Sequence, residues 1–334
     1  MEPLGVGLLS CGVMGTSLAR ALTHLEGARM VAVCDVREEA AAPLAEELDV
    51  PYFLDAADLL KREEVQGVMV ASPPFLHREM VEAAAAAGKH IFCEKPMAPT
   101  VADCEAMIAA VERAGVKLMI GQVCRFHPVH SKVKELAVSG QLGQPTCMVV
   151  YRTGGGWGGK WRTHWRQSRA QSGGTLMEVN SHELDFMRWV CGEVKQVYAQ
   201  GGNYVSPYQD YPDIVLLMMT FQSGAVGLLH SSQATCFGGY GGRLDLTEGS
   251  IEFPAVWGEN AGVRYRHKEE KEATFLALRD LPGENPVQHE LRVWIEAVLQ
   301  DTEPPVTGWD GRAAVEIAEA AYRSVETGEP VVLR

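Results

Sequence analysis

No stretch of this chain reaches the roughly 18 to 20 consecutive apolar residues needed to cross a bilayer, so the sequence predicts no membrane-spanning helix. Basic side chains are the minority: 30 Lys and Arg stand against 43 Asp and Glu, a formal net charge of −13. With no basic block anywhere, the chain is a poor candidate for nucleic acid or an anionic membrane surface. It also lacks any C-x-x-C pair. Its eight cysteines are scattered singly, which predicts reduced, mostly buried thiols in a cytoplasmic protein, with neither a zinc or other metal site nor a disulfide framework. No internal repeat or low-complexity segment interrupts the pattern. The first apolar run begins by Leu4, an opening that predicts no signal peptide. What remains is 334 residues of ordinary globular composition, enough for two domains and ample core.

The opening forty residues carry the most information. The apolar run Val6-Gly7-Leu8-Leu9 leads into Ser10-Cys11-Gly12-Val13-Met14-Gly15 and a helical stretch, Thr16 to Leu25; a second apolar run, Met30 to Cys34, ends on Asp35. Strand, glycine turn, helix, strand and acid in this order describe a dinucleotide-binding unit. Gly12 lets the backbone approach a pyrophosphate, Gly15 lets helix and strand pack closely, and the free N–H groups and positive end of the helix face the phosphates, with Ser10, Gly12, Val13, Met14 and Gly15 the expected cofactor contacts. The usual fingerprint has a first glycine where this chain has Ser10, a departure at the position that makes the tight turn. Asp35, twenty residues after Gly15, is placed to accept bonds from both adenosine ribose hydroxyls and to repel a 2′-phosphate, which favours NAD over NADP. Arg37, close by, is the residue that would accommodate that phosphate instead.

Apolar runs alternating with amphipathic, alanine-rich segments continue to about residue 120. Strands are predicted at Leu4–Leu9, Met30–Cys34, Gly67–Ala71, His90–Cys93 and Lys117–Ile120, and further helices at Glu38–Leu48, Ala56–Lys61, His77–Ala87 and Val101–Ala114. Continuous apolar strands between helices imply a parallel sheet covered on both faces. The texture then changes. A helix over Pro128–Val138 precedes alternating segments at Thr146–Arg152, Val194–Gly201, Ile214–Phe221, Ala225–Ser232 and Arg243–Thr247, which read as antiparallel strands. Gly154–Gly159 and Gly238–Gly242 read as loops. Helices are expected at Asn180–Val190, Pro286–Gln300 and Asp310–Thr327. The expected fold class is an α/β Rossmann-type parallel-sheet domain over residues 1–123, followed by an α+β domain with a large, mostly antiparallel open sheet over 124–334.

On these motifs the chain resembles the Gfo/Idh/MocA family of glucose–fructose oxidoreductases, inositol dehydrogenases and rhizopine-catabolism proteins, over essentially its whole length. The resemblance rests on the modified glycine turn, Asp35, Ala71-Ser72-Pro73-Pro74 with His77, Glu94-Lys95-Pro96, Arg125-Phe126-His127-Pro128, and the run from Gly173-Gly174 through Glu178, His182 and Asp185. It implies that Lys95 is catalytic, against the plain alternative of a surface lysine paired with Glu94. Partial burial and a cationic cofactor would each depress the pKa of such a lysine. The resemblance also places Ser72, Pro73, His77, Glu94 and Lys95 beside the cofactor, although packing at a helix start explains His77 equally well. The family's aspartate–three residues–histidine pattern maps onto Glu178 and His182, with Glu178 one methylene longer. A helix that began by Glu178 would carry Glu178, His182 and Asp185 on one face. His182 then takes a hydroxyl proton, Glu178 orients it or the substrate, and Asp185 is either a helix-surface acid or a support for the site.

Substrate-binding residues are expected among Lys95, Arg125, Trp157, Trp165, Arg166, Glu178 and His182. The basic, tryptophan-rich segment 157–166 either stacks on sugar rings or packs structurally. Arg125 and His127 either line a crevice or brace the domain junction. The expected activity is an NAD-dependent dehydrogenase acting on CH–OH groups. It would oxidise a secondary hydroxyl of a cyclic polyol, sugar or sugar derivative, or run in reverse, as a homodimer or homotetramer. The alternatives are an NAD-retaining glycosidase or lyase that works through transient oxidation, and a non-catalytic NAD-binding sensor.

Overall fold

The computed structural model describes residues 2–154, 156 and 162–333. In the first part of the chain, strand and helix alternate: β1 (Leu4–Leu9), α1 (Val13–Leu22), β2 (Ala28–Cys34), α2 (Glu38–Leu48), β3 (Tyr52–Phe53), α3 (Ala56–Leu60), β4 (Gly67–Val70), α4 (His77–Ala86), β5 (His90–Glu94), α5 (Val101–Ala114) and β6 (Leu118–Gly121). The strands form one parallel sheet in the order β3-β2-β1-β4-β5-β6. Every residue of β1, β4 and β6 is buried, as a parallel sheet covered on both faces requires. Local chemistry fixes several boundaries. The Thr100 hydroxyl accepts from the Asp103 N–H at the start of α5, and Gly115, in the left-handed conformation, ends it. The short edge strand β3 is not apparent in the sequence, since two residues carry no periodicity.

The second part opens with α6 (Pro128–Val138) and β7 (Pro145–Thr153), followed by the short helices α7 (His164–Gln167), α8 (Arg169–Ser172) and α9 (Thr175–Glu178), and by α10 (Ser181–Cys191). Then come β8 (Val194–Gly202), β9 (Ile214–Phe221), β10 (Val226–Ser232), β11 (Gly239–Leu246), β12 (Gly249–Phe253), β13 (Gly262–His267), β14 (Thr274–Ala277), α11 (Pro286–Leu299), α12 (Gly308–Thr327) and β15 (Val331–Val332). Nine of these strands make a second sheet, β14-β13-β12-β11-β7-β10-β9-β8-β15, antiparallel throughout except for the β7–β10 pair. On β9, Val215, Leu217, Met219 and Phe221 point inward while Leu216 and Met218 are exposed, so one face of the sheet is covered and the other open. Helix α10 packs on β7, and α6 on β12 and β13.

The sequence places a loop at Gly238–Gly242, but β11 begins at Gly239. The glycines serve close strand packing there: a Cβ on Gly242 would lie 2.4 Å from the Val149 carbonyl oxygen and 2.5 Å from Phe253 Cζ. The chain divides into two compact units, Met1–Val123 with Glu284–Ala313, and Cys124–Gly283 with Ala314–Arg334. The segment carrying α11 therefore belongs with the first unit, whereas the sequence reading assigned it to the second domain. Its apolar stripe explains this, because Trp294 is fully buried with its ring 5.9 Å from that of Phe92 on β5. Among the described residues, no helix is long and apolar enough to cross a membrane.

Candidate functional site

In the first unit the candidate site starts where β1 ends. Ser10 takes a left-handed backbone, φ 83°, a conformation that costs a residue with a Cβ about 1–2 kcal/mol. Its N–H donates to the Cys34 carbonyl at 2.8 Å. The two glycines that follow have different reasons to be glycine. A Cβ on Gly15 would lie 2.0 Å from the Ser10 carbonyl oxygen, so packing within the turn demands a bare Cα. A Cβ on Gly12 would meet nothing nearer than the Ser10 hydroxyl, at 3.9 Å. The chain itself places nothing against Gly12, and the bare face looks onto open space. Gly12 is also the N-cap of α1 and offers no side-chain cap; Val13 and Met14, in the first turn, are 47% and 37% exposed. Open N–H groups beside a bare glycine suit an anion that must come close to the backbone, and a dinucleotide diphosphate fits this turn.

Asp35 follows β2 directly and is buried. Its Oδ2 accepts from the Cys11 N–H at 2.9 Å, and its Oδ1 accepts from the Arg37 N–H at 3.0 Å and from Arg37 Nε at 3.4 Å. The acid thus ties the glycine turn to the end of β2, and a carboxylate retains acceptor capacity beyond these bonds. Arg37 remains well exposed. Burial, followed by the charge of Asp35, pushes the Cys11 thiol up to about 12, so the cysteine in the turn is a neutral, unreactive group.

Ser72 and Pro73 lie past the end of β4, and Ser72 is buried. His77 is fully buried too, with Nε2 2.8 Å from the Ser72 carbonyl oxygen and Nδ1 3.1 Å and 3.2 Å from those of Pro96 and Met97. Both ring nitrogens of His77 face backbone carbonyls, to which the neutral imidazole donates from one nitrogen only. The ring pins the turn after β4 to the segment that follows Lys95, and burial pulls its pKa below the ordinary value. At the end of β5, Glu94 is buried and its Oε2 accepts from the Lys95 N–H at 3.2 Å. The Lys95–Pro96 peptide bond is cis.

Sequence reasoning missed Glu290. This acid on α11 is fully buried, its Oε2 has no hydrogen-bond partner, and burial followed by the charge of Glu94 pushes its carboxyl well above the usual range. Its signal was present in the sequence, as an acid inside the apolar stripe that contains Leu291 and Trp294.

In the second unit the candidate residues form buried ion pairs. Arg125 grips Asp185 with two bonds, Nε to Oδ2 at 2.7 Å and Nη2 to Oδ1 at 2.5 Å, and the two side chains are 8% and 1% exposed. Asp185 is therefore not a helix-surface acid. Arg166 Nε donates to Glu178 Oε1 at 2.9 Å, and its guanidinium lies 4.0 Å from the centre of the Trp165 ring. A third pair went unread in the sequence. Arg152 Nη1 donates to Glu183 Oε1 at 2.9 Å, Asn180 Nδ2 donates to Glu183 Oε2 at 2.9 Å, and the Ser231 hydroxyl donates to Asn180 Oδ1 at 2.5 Å.

His182 lies in the first turn of α10 and is buried. Glu178 does not share that helix: α9 ends at Glu178 and α10 starts at Ser181, close to the expected start at Asn180, so the condition under which Glu178, His182 and Asp185 would share one face is not met. The side chain of Asn180, committed to Glu183 and Ser231, sits at the break. His127 caps α6, its Nδ1 accepting from the Val129 N–H at 3.3 Å. Trp157, Lys160 and Trp161 lie outside the described residues. Among the described residues, no three His, Cys, Asp or Glu side chains gather to hold a metal ion.

Known proteins match these features. The profile described as "Oxidoreductase family, NAD-binding Rossmann fold" matches residues 4–122, and that of the "GFO/IDH/MocA C-terminal domain" matches residues 130–252. The 2,7-anhydro-N-acetylneuraminate hydratase of Mediterraneibacter gnavus is 32% identical over 97% of this chain and 95% of its own length. The myo-inositol 2-dehydrogenase of Thermotoga maritima is 29% identical over 98% of each. Among solved structures, the aldose–aldose oxidoreductase of Caulobacter crescentus superposes with a TM-score of 0.90 at 30% identity, covering 99% of this chain and 100% of that one.

Proposed function

The chain belongs to the Gfo/Idh/MocA oxidoreductase family, and from that premise we propose that it oxidises a secondary hydroxyl of a cyclic polyol, sugar or sugar derivative to the ketone, or runs the reverse reduction, with NAD in preference to NADP. The observation that carries this reading is the bare face of Gly12 beside an uncapped helix start, with Asp35 bonded to the same turn. The Val13 and Met14 N–H groups hold the diphosphate. Asp35 accepts the ribose hydroxyls and opposes a 2′-phosphate, and Arg37, bonded to Asp35, leaves that preference intact. Ser72, Pro73 and Glu94 shape the surroundings of the nicotinamide, with His77 bracing them from behind. When bound, the nicotinamide supplies the two-electron acceptor for the substrate carbon.

The chain's own side chains handle the proton. Lys95 stabilises the developing alkoxide at Nζ, and His182 takes the hydroxyl proton at a ring nitrogen. Arg125, Trp157, Trp165, Arg166 and Glu178 serve substrate binding, with Glu178 acting through its pair with Arg166. The dehydrogenase named among the relatives acts on myo-inositol, which supports a cyclic polyol or sugar as the substrate class. The open sheet face carrying Leu216 and Met218 supports assembly into a homodimer or homotetramer, and the free thiols fit a cytoplasmic location.

The test is a panel of inositols, aldoses, deoxy and amino sugars and glycosides, each offered with NAD and with NADP and followed by NADH or NADPH absorbance. Turnover of at least one polyol or sugar, faster with NAD, is the expected result. Cofactor binding with no turnover across the panel would instead make the chain a sensor. A second reading draws on the relative named as a hydratase: net cleavage or hydration of an anhydro sugar or glycoside. Product analysis separates the two, because that reaction converts substrate with no net NADH.

A further inference from the structure

We propose that the Ser10 hydroxyl is a binding group for the dinucleotide diphosphate, a donor that the glycine of the usual fingerprint cannot supply. The inference rests on the reading that this unit binds a dinucleotide. The backbone of Ser10 is bonded at its N–H and closely packed at its carbonyl. Its N–H donates to the Cys34 carbonyl at 2.8 Å, and its own carbonyl oxygen lies where a Cβ on Gly15 would be 2.0 Å away. Glycine would meet both demands and would take the left-handed φ of 83° without strain. All that serine adds is a Cβ, which makes the conformation worse, and a hydroxyl.

Among the described residues, that hydroxyl finds no hydrogen-bond partner to repay the strain. Its position gives it a use. It stands 3.9 Å from the point where a Cβ on Gly12 would sit, at the edge of the open face onto which the first turn of α1 directs its N–H groups. A hydroxyl donating to a phosphate oxygen makes a charge-assisted bond, stronger than one between neutral groups. A strained residue whose side chain is unpartnered inside the fold and borders an anion cradle is the pattern expected when conformational cost is retained for a ligand.

The experiment compares the intact chain with S10A and S10G by calorimetric titration with NAD, ADP and adenosine, and by thermal unfolding without ligand. Both variants are expected to bind NAD and ADP about tenfold more weakly, with adenosine affinity unchanged. S10G should melt above S10A, because glycine alone is at ease with the left-handed turn. That last measurement reads the strain independently of any ligand. NAD and ADP affinities unchanged in S10A would overturn the proposal. So would an equal loss for adenosine, which would place the hydroxyl on the ribose. If the intact chain binds neither NAD nor ADP, the dinucleotide reading falls, and this inference with it.

Discussion

The two units present functional groups in opposite ways. The first builds its candidate site mainly from backbone. The Gly12 face, the first turn of α1 and the carbonyls around His77 do the positioning, and the acid Asp35 is held by main-chain N–H groups. The second builds with side chains, in the ion pairs Arg125–Asp185, Arg166–Glu178 and Arg152–Glu183, all deeply or partly buried. A backbone cradle can hold any ligand carrying the same diphosphate, so it suits a common cofactor. A scaffold of buried pairs is individual, because each charge is compensated by a particular partner, and it suits the part that must vary with the substrate. On the proposed function, the difference directs mutagenesis for cofactor choice to the strand ends of the first sheet, and for substrate choice to the charged residues around α9 and α10.

Lys95→Ala gives the largest expected effect. If the first unit supplies both the cofactor cradle and a group that acts on the reacting hydroxyl, turnover falls by about 10²–10⁴-fold while NAD titrates with nearly unchanged affinity. Full turnover in this variant would reduce the first unit to a cofactor holder and move all proton handling to the second. Next comes Asp185→Ala. It strands the Arg125 guanidinium, only 8% exposed, and removal of one partner from a buried pair costs about 3–5 kcal/mol. Urea unfolding checks this through a lower midpoint with an unchanged slope. A loss of only a few tenths of a kcal/mol would mean that the second unit's pairs behave like surface pairs, and the contrast between the units would dissolve.

This contrast also explains how much could be read from the sequence. Helices α2, α5 and α6 run over the residues that the apolar period indicates; α5 and α6 are also punctuated by a side-chain cap, with Gly115 ending α5 and Pro128 opening α6, whereas α2 keeps its period through an internal Pro43. Gly12, Gly15 and Asp35 were legible because the glycine turn is a local device with a fixed spacing to its acid. The choice of partner in Arg166–Glu178 or Arg152–Glu183 was not legible, since nothing in the sequence says which guanidinium reaches which carboxylate. The start of α10 was legible to within a residue, but the short helix α9 before it was not, nor was the commitment of Asn180 to Glu183 and to Ser231 on a distant strand. Strands β12 to β14 went unread, although β13 carries a period-two alternation, the buried Val263 and half-buried Tyr265 against the exposed Arg264 and Arg266. Glu290 needed the fold to show that an acid on α11 shares its surroundings with Glu94, nearly two hundred residues earlier.

Glu290 gives the first unit one buried acid without the compensation that the second unit provides for its own. Its raised pKa means that the folded chain keeps a proton which the unfolded chain releases above its ordinary carboxyl range, near 4.5. The unfolded state then binds fewer protons, so stability is full below that range and falls as pH rises toward the folded value. Glu290→Gln is neutral in both states and removes this term. The variant should match the parent near pH 4 and be the more stable of the two near pH 8, the gap growing by about 1.4 kcal/mol per pH unit until the folded pKa is reached. Unfolding midpoints across that range provide the check. Parallel curves would show that the acid ionises freely in the fold.

The smallest expected effect supplies the control for the whole comparison. Arg20 and Glu47 form a two-pronged pair, Nε to Oε1 and Nη2 to Oε2 both at 2.7 Å, in the same Nε and Nη2 pattern that Arg125 makes with Asp185. Their side chains, however, are 57% and 42% exposed. Water and salt screen such a pair, and holding two long side chains in one arrangement offsets much of the attraction. Glu47→Ala should therefore leave the unfolding midpoint unchanged within error, and added salt should not separate it from the parent. Set beside Asp185→Ala, it compares an exposed with a buried pair of the same two-pronged pattern. A Glu47→Ala loss approaching that of Asp185→Ala would mean that geometry sets the worth of these pairs, and the distinction drawn between the two units would then have to be restated in terms of bond geometry.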